Sequence, residues 1–365
     1  MLSMLSNFII PVENLIMFAI GFVLIYLAIK KDYEPMLLLP IGFGAILANI
    51  PLSSAIGSHG VLTILYDAGI ANELFPALIF IGIGAMIDFS SLLTNPVMIF
   101  YGAAAQFGIF LTIIVASAMG FDIKEAVSIG MIGTADGPTS IYVAGRLAPK
   151  LLGPISVAAY SYMAMVPIVQ TPIIKLMTTK SERRIKMVSK SKKIPKSLKI
   201  LFPIIVTLIS GIIAPESVSL IGMLMFGNLI RECGVLDKLS NAAQNELSNL
   251  ITLFLGITIG STMTAEAFIN GRTLLILFMG LVAFIFDTVG GILFAKIMNL
   301  FRKEKINPMI GAAGISAFPM SARIVHKIGL EEDPTNFLIM HSTGANVAGQ
   351  IGSVLAGSII LQILG

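Results

Sequence analysis

Residues 131–141 read MIGTADGPTSI, and residues 309–322 read MIGAAGISAFPMSA. Each run is apolar and rich in small residues, and each is interrupted at glycine and proline inside a stretch long enough to belong to a membrane helix. Proline removes a backbone donor and glycine loosens the helix, so nearby carbonyls leave the helical ladder and can face an ion. The two runs echo each other once a three-residue insertion is allowed in the second. Two more pairs keep the same order: IGFGAILANI at 41–50 with LMFGNLIREC at 224–233, and FIGIGAMIDF at 80–89 with FLGITIGSTM at 254–263. Ordered echoes at a spacing of roughly 180 residues argue for an internal duplication.

The solvent of this duplicated chain follows from its composition. With 56% hydrophobic and only 12% charged residues among 365, it carries more apolar surface than a soluble core could hide. Lipid cannot satisfy open backbone groups, so the element expected is the helix, giving an all-α polytopic membrane protein. Apolar segments fall at 12–30, 35–50, 74–89, 96–119, 124–146, 151–177, 198–214, 216–231, 246–262, 271–300, 306–325 and 336–363. The formal charge of +4 reads as topology signals rather than nucleic-acid binding. A single Cys233 excludes an intramolecular disulfide, and His59, His326 and His341 lack zinc-ligand spacing. The opening MLSMLSNFII has no basic region or cleavage site, so the first apolar stretch reads as a retained membrane segment.

The long polar stretch TTKSERRIKMVSKSKKIPKSLK carries nine Lys or Arg from Lys180 to Lys199 and one acid, Glu182. It reads as a cytoplasmic loop, with a docking patch for an anionic partner or lipid headgroups as a compatible reading. Three regions result: a first membrane repeat at 1–178, a basic linker at 179–199 and a second repeat at 200–365. Lys30 and Lys31 place the end of the first segment in the cytoplasm as well, so the repeats should be inverted copies. About ten to twelve membrane segments with broken or re-entrant helices at the midplane are the architecture of secondary transporters, whose ion site lies at the repeat interface.

Chemistry is therefore expected at the breaks. Asp136, just before Gly137 and Pro138, supplies the hard anionic oxygen a dehydrated cation requires, although its spacing equally permits a helix cap. In the second half Ala317 stands two residues before the proline, where the first half has Asp136, leaving Ser316 and Ser321 as neutral oxygens. Arg323 is either a functional cation or a snorkelling helix end. Asn346, central in HSTGANVAGQIGS, offers an amide carbonyl in a run whose glycines also suit close helix packing. Tyr160 and Tyr162 are interfacial anchors or hydroxyls that ligate a cation or relay a proton. Asp287 is a second intramembrane acid with no recognisable motif.

The strings TADGPTSIY, LAPKLLGPISVAAYSYMAMVPIVQTPIIKLMTTKSERRIKM, NPMIGAAGISAFPMSARIVHKIG and DPTNFLIMHSTGANVAGQIGSVLAGS resemble the β subunits of the sodium-translocating, biotin-dependent decarboxylases of oxaloacetate, methylmalonyl-CoA and glutaconyl-CoA. The likeness runs from about Phe80 to the C-terminus. It implies a subunit that decarboxylates carboxybiotin delivered by a biotin carrier and couples this to Na+ export, consuming a proton. The partners it implies are a carboxyltransferase α subunit, a biotin carrier protein or domain and a small membrane-anchoring γ or δ subunit, assembled in the bilayer of a bacterial or archaeal cytoplasmic membrane. Position by position, Asp136 matches the family's essential aspartate, Tyr162 its functional tyrosine, and Asn307, Gly311, Ser316, Arg323 and Asn346 its second motif set. Thr134 departs from the glycine more often expected there.

On that resemblance Na+ would bind at Asp136 and Asn346, with a second site at Ser316 and Tyr162. Arg323, with Asn307, would hold the carboxybiotin, since a guanidinium grips a carboxylate bidentately. Tyr162 or Ser316 would deliver the proton. The rival reading is a secondary cation antiporter or organic-anion symporter, which needs no decarboxylase partner.

Overall fold

The computed structural model describes residues 10–32, 34–187 and 194–365, so the linker segment 188–193 and the N-terminal residues 1–9 lie outside the described residues. The described residues are helical throughout and contain no strand. The first half opens with α1 (Val12–Lys31), α2 (Pro35–Asn49) and α3 (Leu74–Met86). It continues with α4 (Met98–Ala104), α5 (Phe107–Ala118), α6 (Ile123–Gly130), α7 (Gly137–Leu147) and α8 (Leu152–Met177). The second half contains α9 (Lys196–Ile213), α10 (Val218–Cys233), α11 (Ser248–Ser261) and α12 (Gly271–Phe301). It ends with α13 (Met309–Ala312), α14 (Met320–Glu332) and α15 (Ile339–Leu364).

Every apolar segment expected from sequence carries helix. Among the described residues six helices are long and apolar enough to cross a membrane, and a seventh is added if Val61–Ala71 and Leu74–Met86, bent by 64°, form one span. The other segments are shorter because glycine and proline cut them, and they are held by close backbone crossings instead of length. A Cβ on Gly44 of α2 would lie 2.2 Å from the Ile257 carbonyl oxygen of α11, and one on Gly260 of α11 would lie 2.1 Å from that of Ile41. The same holds between α3 and α10, where Gly84 meets the Leu224 carbonyl and Gly227 meets that of Ile81. Small residues let helix backbones touch, which is the source of association between helices in lipid. The first half therefore lends α2 and α3 to the second, and receives α11 and α10 in return.

Two breaks lie between α6 and α7 and between α13 and α14. Met131–Thr134 tightens into a 3₁₀ turn, and Ala135 then adopts a left-handed conformation at φ 52°. This reverses the chain so that Asp136 starts α7, where Pro138 fits because the first turn needs no donor from it. In the second half α13 ends after one turn, and the chain stays irregular until Pro319 precedes α14.

The ends of the basic linker are anchored. Arg183 is buried and pairs with Glu332 at 2.6 Å, and Lys186 pairs with Asp333 at 3.1 Å. At the far end Lys199 lies 3.5 Å from both Asp88 and Glu232. Lys296, near the end of α12, pairs with Glu182 at 3.0 Å, so α12 and α8 end on the face that carries the linker.

Candidate functional site

Asp136 is buried at the start of α7 and serves as its N-cap, Oδ1 accepting from the Thr139 amide at 3.2 Å. Its other oxygen does more than cap. Oδ2 accepts from Thr139 Oγ1 at 2.7 Å, and from two side chains of α15, Gln350 Nε2 at 2.9 Å and Ser353 Oγ at 2.8 Å. Both readings of Asp136 thus have a physical basis: one oxygen holds the half-helix, the other faces the second half. Thr134 Oγ1 accepts from the Asp136 amide, and Ser140 Oγ donates to the Met131 carbonyl at 3.0 Å, which fixes the turn around the carboxylate.

The two breaks touch. The Ser316 amide donates to the Thr134 carbonyl at 3.0 Å, and Ser316 Oγ donates to the Gly349 carbonyl of α15 at 2.9 Å. Asn346, one turn before Gln350, donates through Nδ2 to the Ile315 carbonyl at 2.6 Å, while its carbonyl Oδ1 is buried with no partner among the described residues. So α15 runs along both breaks, with Asn346 and Gly349 on the second and Gln350 and Ser353 on the first. Asp136, Ser316 and Asn346 are brought together in this sense. The free Asn346 oxygen and the Asp136 carboxylate are oxygen donors suited to a hard monovalent cation.

The remaining sequence candidates stand elsewhere. Tyr162 donates its hydroxyl to the Leu277 carbonyl of α12 and packs on Gly280, so it is tied to α12 and not to Asp136. The tyrosine beside the break is Tyr160: a Cβ on Gly137 would fall 2.6 Å from its ring, and its buried hydroxyl has no partner among the described residues. Asn307 is fully engaged in holding the linker, with Nδ2 on the Arg183 and Ile185 carbonyls at 2.8 and 3.0 Å and Oδ1 on the Met309 amide. Arg323 is exposed on α14, and its side chain makes no hydrogen bond or ion pair with any described residue. It faces Glu34 in the loop after α1, whose carboxyl burial pushes up while the Arg323 charge pulls it down. Ser321 is buried in α14 with its hydroxyl unpartnered among the described residues. Gly311 crosses Gly291 of α12 with backbones in contact, since a Cβ on it would meet the Gly291 carbonyl at 1.9 Å.

Three residues of this site were not singled out by sequence: Thr139, Gln350 and Ser353. Gln350 and Ser353 follow Asn346 at spacings of four and seven, one helical face, so the face was readable but its target was not.

The sequence pattern of the Na+-transporting oxaloacetate decarboxylase beta subunits matches residues 13–364. The chain belongs to that family. It is a membrane component of the sodium-pumping decarboxylases, with relatives that span nearly their whole length. The methylmalonyl-CoA decarboxylase subunit beta of Propionigenium modestum is 49% identical, over 96% of this chain and 95% of the relative. The glutaconyl-CoA decarboxylase subunit beta of Acidaminococcus fermentans is also 49% identical, over 96% and 93%. The oxaloacetate decarboxylase beta chain of Klebsiella pneumoniae is 44% identical, over 95% and 94%. Three acids are thus represented among β subunits of similar likeness to this one.

Proposed function

We propose that this β-family chain decarboxylates carboxybiotin presented by a partner biotin carrier and couples the reaction to Na+ export from the cytoplasm of a bacterial or archaeal cell, consuming a proton. A single observation carries the reading: a buried carboxylate at a helix break, Asp136, is met by Gln350 and Ser353 from the other half of the molecule. A buried carboxylate held across the interface of two halves changes its surroundings whenever the halves move, and this is what couples ion binding to alternating access.

In this reading Asp136 and the Asn346 carbonyl hold Na+, and Ser316 contributes at the neighbouring break. Arg323, exposed and without an ion-pair partner among the described residues, receives the carboxylate of carboxybiotin as a planar fork. Tyr162 and Asn307 act from further out, Tyr162 through α12 and Asn307 by holding the linker at the start of α13. Cleavage of the N–CO₂ bond leaves its electron pair on the ring nitrogen, which takes up the proton as carbon dioxide departs. The halves 1–178 and 200–365 are inverted repeats in this scheme, supported by the reciprocal crossings of α2 with α11 and α3 with α10. A carboxyltransferase α subunit, the biotin carrier and a small γ or δ membrane subunit complete the oligomeric complex, and the α subunit sets which acid is used.

The test is Asp136→Asn in the reconstituted complex. It should abolish both Na+-dependent decarboxylation and Na+ uptake into vesicles, because the one charge at the first break is lost; pumping at the wild-type rate would refute the assignment.

A further inference from the structure

Asp287 takes no part in the scheme above, yet with Asp136 it is one of the two buried carboxyls among the described residues. It sits 16 residues into α12, about 24 Å from the start of a helix whose remaining length is about 21 Å, and so near mid-membrane. Its Oδ1 accepts from the Gly108 amide at 2.5 Å, at the N-terminus of α5. Its Oδ2 is buried with no partner among the described residues. That free oxygen points at Gly133, in the turn that leads to Asp136: a Cβ on Gly133 would lie 2.8 Å from Oδ2, and one on Gly108 would lie 2.5 Å from Oδ1. Two glycines on separate elements thus clear a slot for one carboxyl.

The slot does not suit a metal ion. Its walls are glycine backbone and the Ala283 methyl, which would meet a Gly133 Cβ at 2.7 Å, and a hard cation needs several oxygens around it. A carboxylate sealed there, with only the Gly108 and Ile109 amides as donors and nothing on Oδ2, is costly, whereas the neutral acid is tolerated. No charge among the described residues offsets it. Of the elements packed on α12, α4 carries Tyr101, α8 carries Tyr160, Tyr162 and Lys175, α6 carries Lys124 and Glu125 at its outer end, and Ala265–Phe268 carries Glu266. The helices α5 and α13 and the turn 131–134 carry no titratable group, and Asp287 has no hydrogen bond or ion pair with any of those named.

We propose that Asp287 is a proton-carrying carboxyl of the pump, neutral while α5 and the 131–134 turn are packed on it and releasing its proton when they separate. This rests on the proposed decarboxylation, which needs one proton for each N–CO₂ bond broken. Asp287 gives up that proton to the path leading to the ring nitrogen and regains one from water on the outer side. Because its slot adjoins the turn that bears Asp136, movement at the sodium site opens or closes it.

Asp287→Asn in the reconstituted complex tests this, with Asp136→Asn in parallel. Asparagine is neutral, nearly isosteric and caps a helix as well as aspartate, so the complex should assemble and keep its half-saturating sodium concentration. Its maximal decarboxylation rate should fall on the order of a hundredfold and lose the wild-type dependence on pH. The wild-type infrared difference spectrum on sodium addition should contain a protonated-carboxyl band that Asp287→Asn lacks. A wild-type rate and pH profile in Asp287→Asn overturns the proposal. So does failure to assemble, which marks a fixed structural charge, or a raised sodium requirement with an unchanged pH profile, which marks a sodium ligand. Wild-type pumping by Asp136→Asn would instead sink the sodium assignment, and the two failures are read from different variants.

Discussion

Gln350 and Asp136 are 214 residues apart in the chain and 2.9 Å apart in the fold, the amide of one donating to the carboxylate oxygen of the other. Ser353 donates to the same oxygen at 2.8 Å, so the charge at the first break is oriented by the last helix. A hydrogen bond to a charged group contributes about 1.5–3 kcal/mol. Gln350→Ala and Ser353→Ala should each raise the half-saturating sodium concentration for decarboxylation by roughly ten- to a hundredfold. Neither should alter the apparent affinity for free carboxybiotin, because the oxygen they serve belongs to the sodium site. A wild-type sodium requirement in both variants would uncouple these residues from Asp136.

The tyrosines separate by the same logic. Tyr162→Phe keeps the ring against Gly280 and deletes only the bond to the Leu277 carbonyl, a loss of about 1 kcal/mol in stability. Tyr160→Phe deletes a hydroxyl that has no partner among the described residues, on a ring that lies beside Gly137. If Tyr162 ligates sodium, its phenylalanine variant requires more sodium; if it relays a proton, the maximal rate falls at saturating sodium. A Tyr162→Phe protein with wild-type sodium dependence and rate would remove it from the chemistry.

Arg323→Lys retains the charge beside Glu34 but not the planar fork. The apparent affinity for free carboxybiotin should weaken by about tenfold, a loss of roughly 1.4 kcal/mol, with little change in sodium dependence. Equal affinities in the two proteins would make Arg323 a helix-end residue.

The linker clamp should respond to acid. Hydrogen bonds from the Thr335 hydroxyl and amide, with Lys186 behind them, hold the Asp333 carboxyl down at about 2 against its ordinary 3.8. A lowered carboxyl stabilises the folded clamp above its free value and loses that contribution as pH falls toward the folded one. Protection of the 184–187 amides from deuterium exchange, taken relative to the intrinsic rate at each pH, should therefore hold down to pH about 4 and fall from there toward 2. Asn307→Ala should quicken exchange at neutral pH by about fivefold, a partial effect because Asn336 also donates to the Arg183 and Ile185 carbonyls. Exchange unchanged by either treatment would show that the linker is held by other contacts.

The membrane helices were readable because apolar run lengths report directly on a bilayer, and the breaks because Gly137, Pro138 and Pro319 leave few alternatives. Asp136 was readable from its cost in such surroundings. Its donors were not, since nothing local to Gln350 or Ser353 says which of many buried carbonyls or carboxylates they meet. The tyrosines show the same limit: Tyr160 and Tyr162 are equivalent in a string and face different helices in the fold. Asn307 sits beside a break by sequence, yet its amide reaches back to the linker, a register that only packing determines.

The last helix, α15, touches both breaks through four residues on about two turns, Asn346, Gly349, Gln350 and Ser353. In the proposed cycle it would serve as a single shaft geared to two levers: displacing either lever would turn the shaft and carry the other with it. If the two breaks are the gates of the proposed cycle, neither would open without the other registering it, and sodium would not slip back between strokes. Resistance to backflow would then depend on the stiffness of one helix rather than on the tightness of any one ion site.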